Sequence, residues 1–235
     1  MSDGHIIVTG GSKGIGAGIV AELAKRGFDV VALSRSGEAG HGFGLACDVT
    51  DEHSVAQAMQ SISQRGPIIG LVNNAGAHEA VPSHTLTTEQ FEDTIRLNTT
   101  AVMIGCREVY PHMLASGGGL IVNIGSFFET MGVVDNLAYC ASKAAVGAMT
   151  RCLATEWAKH NIRVLDVAPG YIETDLNRDY LASGKVKAWL SRRIPVGRPG
   201  RIEEVARLVA VLYQENIGFL TGETIFMDGG QGHNH

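Results

Sequence analysis

Seven short apolar runs, rich in β-branched residues, alternate along this chain with longer amphipathic stretches, an alternation that builds stacked βαβ units on a parallel sheet. Strands are expected over residues 5–9, 29–34, 44–47, 68–73, 120–125, 163–168 and 224–227. Helices are expected over 14–26, 51–65, 88–115, 139–159 and 202–213. The fold class that follows is α/β, a doubly wound parallel sheet of about seven strands flanked by helices on both faces. One large domain of this kind fills 235 residues, and no linker, repeat or low-complexity tract divides the chain. Residues 77–87 read as a polar connector. Residues 170–200 follow neither period, and an insertion that long in a compact domain is usually functional, often a lid.

Several function classes fall away on composition. The 30 glycines show no G-X-Y period and the hydrophobic fraction is 45%, which excludes collagen-like and disordered chains. A net charge of −5 supplies no positive field for a phosphate backbone, so nucleic acid is not an expected partner. The opening MSDGH has neither a basic n-region nor an apolar h-region, and no apolar run approaches the ~18 residues that cross a bilayer. No membrane partner is expected, and the cytoplasm is the expected compartment. Cys47, Cys106, Cys140 and Cys152 lack a C-x-x-C spacing and suit a reducing environment, with Cys140 read as a buried small apolar residue. The nine histidines show no H-E-x-x-H or similar cluster, so no metal is expected.

Thr9-Gly10-Gly11-Ser12-Lys13-Gly14-Ile15-Gly16 closes the first expected strand and opens the first helix. Glycines there permit a tight turn and let backbone N–H groups approach a pyrophosphate at the positive helix end. The spacing is G-x-x-x-G-x-G, so its position in the fold, at the end of the first strand, carries the assignment as a dinucleotide site. The second strand ends in Ser34-Arg35, with no carboxylate to hold a ribose 2′-hydroxyl; the nearest acid, Glu38, lies beyond the turn. A 2′-phosphate would find the Ser34 hydroxyl, the Arg35 guanidinium and Lys13. Two charge-assisted hydrogen bonds at about 1.5–3 kcal/mol each favour NADP(H) over NAD(H) by at least about tenfold.

Tyr139 and Lys143 stand four residues apart and therefore on one helix face. An ammonium there is expected to pull the phenol pKa down from ~10 toward the working range of a general acid or base. Ser126 ends the fifth strand on the sheet edge that carries the glycine loop, so its hydroxyl can converge with that pair.

These motifs, in order, resemble the classical short-chain dehydrogenase/reductase family: Thr9–Gly16, Asp48-Val49, Asn73-Asn74-Ala75-Gly76, Asn98, Ser126, Tyr139-x-x-x-Lys143, Pro169-Gly170 and Asp228-Gly229-Gly230. The likeness spans nearly the whole chain, and it includes members that reduce 3-oxoacyl thioesters. It implies a Rossmann-type fold in which Tyr139 moves the proton, Ser126 holds the substrate oxygen, and Lys143 tunes Tyr139 and binds nicotinamide-ribose hydroxyls. It further implies that Asn98 anchors a water relay to Lys143. Asp48 and Val49 would meet the adenine, the Asn74, Ala75 and Gly76 backbone the adenosine side, and Ile172 and Thr174, after Pro169 and Gly170, the nicotinamide carboxamide. Together with Gly10, Ser12, Lys13, Gly14, Ile15, Gly16, Ser34 and Arg35, these form the expected cofactor set.

The expected substrate is a small carbonyl compound or alcohol, with an acyl thioester as one candidate: Lys185, Lys187, Arg192 and Arg193 either attract a phosphopantetheine carrier or form a solvated face. Phe127, Phe128, Met131, Tyr180, Leu181, Trp189 and Leu190 outline an apolar pocket under a mobile segment. Val134-Asp135-Asn136 stands where family members often carry a Pro-Gly turn. Small and apolar helix faces (Ala101, Val102, Gly105; Ala144, Ala145, Gly147, Ala148, Met149) exceed what the sheet requires, and the resemblance implies a homodimer or homotetramer built on them. Two alternatives stand beside the NADP(H)-dependent oxidoreductase: an NAD(H)-dependent alcohol or polyol dehydrogenase, and a catalytically silent dinucleotide sensor or scaffold.

Overall fold

The structure is a computed structural model that describes residues 4–175 and 177–234. Its main sheet is parallel throughout. The strands are β1 (His5–Thr9), β2 (Asp29–Ser34), β3 (Phe43–Ala46), β4 (Ile68–Asn73), β5 (Gly119–Ile124) and β6 (Ile162–Pro169), followed by two-residue β7 (Ile172–Glu173) and β8 (Gly200–Arg201) and then β9 (Thr224–Met227). Seven of them form one sheet in the order β3-β2-β1-β4-β5-β6-β9, while β7 and β8 pair separately. The helices are α1 (Gly14–Lys25), α2 (Glu52–Ser63), α3 (Thr88–Ile95), α4 (Ala101–Ala115), α5 (Leu137–Trp157), α6 (Arg178–Ala182), α7 (Gly184–Arg193) and α8 (Ile202–Glu215).

Because successive strand residues face opposite sides, the sheet feeds two cores. Ile6, Val8, Val30, Ala32, Val122 and Val167 pack under α1 and α8. Ile7, Val31, Leu33, Leu71, Ile121 and Val164 pack under α2, α4 and α5. Strands buried on both faces must be apolar along their whole length, as Val30-Val31-Ala32-Leu33 is.

The seven long strands stand where the sequence places them, within one residue at the ends of the third, fifth and sixth. Two expectations change. The single helix over 88–115 is broken by a π-helical turn, Arg96–Thr100, between α3 and α4. The irregular stretch 170–200 contains α6 and α7, which bury Leu181, Leu190 and Ile194 against Tyr171 and Val186 in a small cluster of their own. The side chain of Tyr180 lies outside the described residues.

Candidate active site

Parallel strands end at one edge, so the loops after β1, β2, β4, β5 and β6 converge. The strand order reverses between β1 and β4, the switch point where such sheets open a crevice. The two loops at that point are tied together. Thr9 Oγ1 accepts from the N–H groups of Asn74 (2.9 Å) and Ala75 (3.0 Å), and Asn74 Nδ2 donates to the carbonyls of Thr9 (2.9 Å) and Gly10 (3.3 Å). Gly10 and Gly14 have φ of 64° and 53°. A side chain on Gly16 would collide with Gly10 O and Asn74 Nδ2, whereas a Cβ on Gly14 meets nothing within 4 Å. Lys13, exposed, caps α1 without a side-chain hydrogen bond, and the first turn holds no acid. The leading amides and positive helix end therefore face an open cradle, which fits a pyrophosphate. Ser12 and Ile15 are half-buried there.

On the flank of that cradle Ser34 is buried, its hydroxyl 3.4 Å from Ser36 Oγ and from the Glu38 carbonyl, while Arg35 is exposed. Asp48, after β3, accepts from Thr50 N (2.9 Å) and Thr50 Oγ1 (2.7 Å). Those hydrogen bonds, aided by Arg35, hold its carboxyl below the usual range. Val49 and Ala75 are half-buried and Gly76 is exposed. On the opposite flank Pro169 is buried, Gly170 N donates to Met227 O (3.0 Å) and Ile172 packs into the core. The Thr174 N–H is taken by Asn177 Oδ1 at 2.7 Å.

Ser126, Tyr139, Lys143 and Asn98 converge beside the crevice. Ser126 follows β5; its Oγ accepts from Phe128 N (3.2 Å), and it stands beside the Tyr139 phenol. Tyr139 is the third residue of α5, and Lys143, 5% exposed, reaches back to donate Nζ to the Ile124 carbonyl at 2.7 Å. Asn98 lies on the π-helical turn and is 0% exposed. It accepts from Ala77 N (2.9 Å) and donates to Ala77 O (2.8 Å) and Ser142 Oγ (3.2 Å). A wider turn inside a helix re-aims one side chain, here from α3–α4 onto the loop after β4 and α5.

The electrostatics correct one sequence expectation. Tyr139 is not pulled down: burial raises its pKa, and Ser126 beside it only partly offsets that. Lys143 Nζ is 5.7 Å from the phenol ring centroid and bonded to a carbonyl, and burial brings its own pKa down to about 8. Asp166 and Glu129 act in the opposite sense on it. Neither acid was a candidate from sequence, although Asp166 is the lone acid in β6, which is apolar but for Arg163, and could have been found on that ground. His78 was also missed. Its ring stands edge-on to Tyr139 at 4.8 Å and to Phe128 at 6.3 Å, with Nε2 hydrogen-bonded to Asn136 Oδ1.

Two further expectations are revised. Gly105 and Gly147 are not partner-facing: a Cβ at Gly105 would lie 2.7 Å from Asn73 Oδ1, and one at Gly147 would lie 3.1 Å from Glu129 Oε1. Ala101 and Val102 are likewise buried within the chain, leaving Ala144 and Ala148 exposed. Cys140 is only half-buried and borders a cleft of about 390 Å³ with Ser83, Gly132, Val133, Val134 and Leu137. Phe127 and Phe128 are buried and begin an aromatic series through Tyr171 to the half-exposed Trp189 of α7. Asp135, in the turn before α5, has φ of 62°, the left-handed geometry that a glycine adopts freely.

Comparison with known proteins agrees with this geometry. The family model described as enoyl-(acyl carrier protein) reductase matches residues 10–231. Gluconate 5-dehydrogenase of Gluconobacter oxydans is 33% identical over 98% of this chain and 95% of its own length. The 3-oxoacyl-[acyl-carrier-protein] reductase MabA of Mycobacterium bovis is 35% identical over 98% and 93%. Among solved structures, a gluconate 5-dehydrogenase from Burkholderia cenocepacia in complex with NADP and tartrate superposes with a TM-score of 0.92 at 29% identity, covering 100% of this chain and 97% of the other. With its Rossmann-type sheet and converging Ser, Tyr and Lys, the chain belongs to the short-chain dehydrogenase/reductase family and is an oxidoreductase of the CH–OH/carbonyl class.

Proposed function

We propose that this enzyme interconverts a ketone and a secondary alcohol with NADP(H) in preference to NAD(H). The observation that carries the chemistry is the meeting of Ser126, Tyr139, Lys143 and Asn98 at the sheet edge beside an open glycine cradle. When bound, the nicotinamide supplies or accepts the hydride. The Ser126 and Tyr139 hydroxyls donate to the carbonyl oxygen, where negative charge grows as the ketone is reduced. Tyr139 delivers its proton to that oxygen; its raised pKa keeps it protonated until the transfer. The Lys143 ammonium, 5.7 Å from the Tyr139 ring centroid, lowers the cost of leaving Tyr139 charged once its proton has gone, and Asn98 holds the loop after β4 against α5.

The preference for NADP(H) is supported by Arg35, exposed at the end of β2 where no carboxylate stands. The full cofactor set named from sequence belongs to the same proposal. So does a lid built of α6 and α7, whose separate apolar cluster lets the pair move without opening the main cores. A small ketone or an acyl thioester suits the aromatic wall from Phe128 to Trp189. A homodimer or homotetramer is supported by exposed apolar side chains, among them Met103, Leu114, Phe219 and Phe226. Residence in the cytoplasm rests on the cysteine spacing alone; among the described residues no helix is long and apolar enough to cross a membrane.

The test is NADPH oxidation against a panel of ketones, keto acids and oxoacyl thioesters, repeated with Tyr139→Phe. Turnover in the variant should fall by about 10²–10⁴-fold with NADPH affinity retained. Near-wild-type turnover would remove Tyr139 from the chemistry.

A further inference from the structure

The carboxyl groups of Glu129 and Asp166 approach each other in a space that Gly125 and Gly147 leave clear. Asp166, 0% exposed, is paired in register with Asn123 and so faces α5 from the sheet. Glu129 comes from the helical turn Phe127–Thr130. A Cβ on Gly125 would lie 2.5 Å from both Asp166 oxygens, and one on Gly147 would lie 3.1 and 3.2 Å from the two Glu129 oxygens. The two acids stand within side-chain hydrogen-bonding reach of each other. Yet Glu129 Oε2 and Asp166 Oδ1 are buried with no donor, and Thr224 Oγ1 approaches Asp166 Oδ2 only at 3.5 Å. Ionised carboxylates are acceptors alone, so a hydrogen bond between two of them requires one proton. Two adjacent buried negative charges would be costly.

We propose that Glu129 and Asp166 share one proton and, as a buried unit of single negative charge, form a positioning pair that keeps Lys143 an ammonium. The assignment deepens the function proposed above and rests on the role given there to Lys143. Burial strips Lys143 of solvent and favours its neutral form; both acids favour the charged one. The titratable groups facing Lys143 among the described residues are Tyr139 on its own helix, Glu129 on the turn after β5 and Asp166 on β6. Those facing Asp166 are Glu129 and Lys143, beside the Thr224 hydroxyl of β9. One negative charge balances one ammonium. A second would be uncompensated, which is why the proton stays between the two acids while Tyr139 exchanges its own with substrate.

Infrared spectroscopy of the intact chain at neutral pH tests the shared proton. Exposed carboxyls are ionised there, so a protonated one shows as an isolated carbonyl band that deuteration shifts. The band should be present in the wild type and lost in Glu129→Gln and in Asp166→Asn alike, because each amide supplies the donor and lets the remaining acid ionise. Its absence from the wild type overturns the proposal without recourse to any variant, as does its survival in either variant. The tie to Lys143 is read by NMR titration of 13Cε-labelled lysine in Glu129→Gln/Asp166→Asn, where the Lys143 resonance should titrate at least about one pH unit lower than in the wild type. An unmoved titration overturns the positioning role. Neither measurement needs turnover, so a chain that reduced no carbonyl would count against the proposed function and not against the shared proton.

Discussion

Lys143 Nζ donates to the carbonyl of Ile124 at 2.7 Å, so the partner of Tyr139 is held by the strand whose extension carries Ser126. One hydrogen bond thereby ties α5 to the strand end that carries Ser126. Lys143→Met should lower kcat by about 10²-fold or more, since the phenolate loses its cation and the Ile124 carbonyl its donor. Steady-state kinetics with NADPH reads this, and an unchanged kcat would separate Lys143 from the proton transfer.

The proposed preference for NADP(H) rests on Arg35. Arg35→Asp places a carboxylate at the end of β2, repelling a 2′-phosphate and offering an acceptor to a 2′-hydroxyl. The ratio of kcat/KM for NADPH to that for NADH should fall by at least about tenfold. A ratio that does not move would leave Arg35 a solvated surface charge.

The cradle is intolerant of a single methyl group. In Gly16→Ala the new Cβ runs into the Gly10 carbonyl and Asn74 Nδ2, the two groups that join the loops after β1 and β4. Overpacking of backbone against backbone should cost about 1–3 kcal/mol. It should also weaken NADPH binding, measured by fluorescence titration, whereas Gly14→Ala meets no steric wall and suffers only from its φ of 53°.

Glu204 gives the stability a defined acid limb. Arg198 clamps both its oxygens at 2.8 Å and Arg201 N donates to it, holding its carboxyl down to about 2. A folded-state pKa below the unfolded one contributes stability above the unfolded value of 4.5, lost as pH falls toward about 2. Both side chains are partly exposed, so the contribution is below about 1 kcal/mol. Between about pH 6 and about pH 3 the wild type should lose slightly more Tm than Arg198→Ala; equal losses would show that the clamp is screened out.

The architecture was legible because a parallel sheet demands local signals. Strands covered on both faces must be continuous apolar runs, and the turn under a pyrophosphate must be glycine. The meeting of Ser126, Tyr139 and Lys143 was legible for a similar reason: Tyr139 and Lys143 are neighbours on a helix, and Ser126 ends a strand. Asn98 was recognised as a residue, but its setting was not, because a π-helical turn differs from an α-helix by one shifted hydrogen bond that hydrophobic period does not record.

Whatever depended on contacts between distant segments was decided by tertiary structure. Glycines 105 and 147 look from sequence like surfaces for another subunit; folded, they make room for Asn73 and Glu129 of the same chain. The spacing of Tyr139 and Lys143 predicts a lowered phenol pKa, whereas burial raises it. Glu129 and Asp166 are 37 positions apart and carry no shared motif. Only the packing of α5 across β5 and β6 brings their carboxyls together and beside Lys143. Periodicity and turn chemistry are properties of neighbouring residues and can be read along the chain; solvation and charge coupling belong to the space between elements, and exist only once the chain has closed around them.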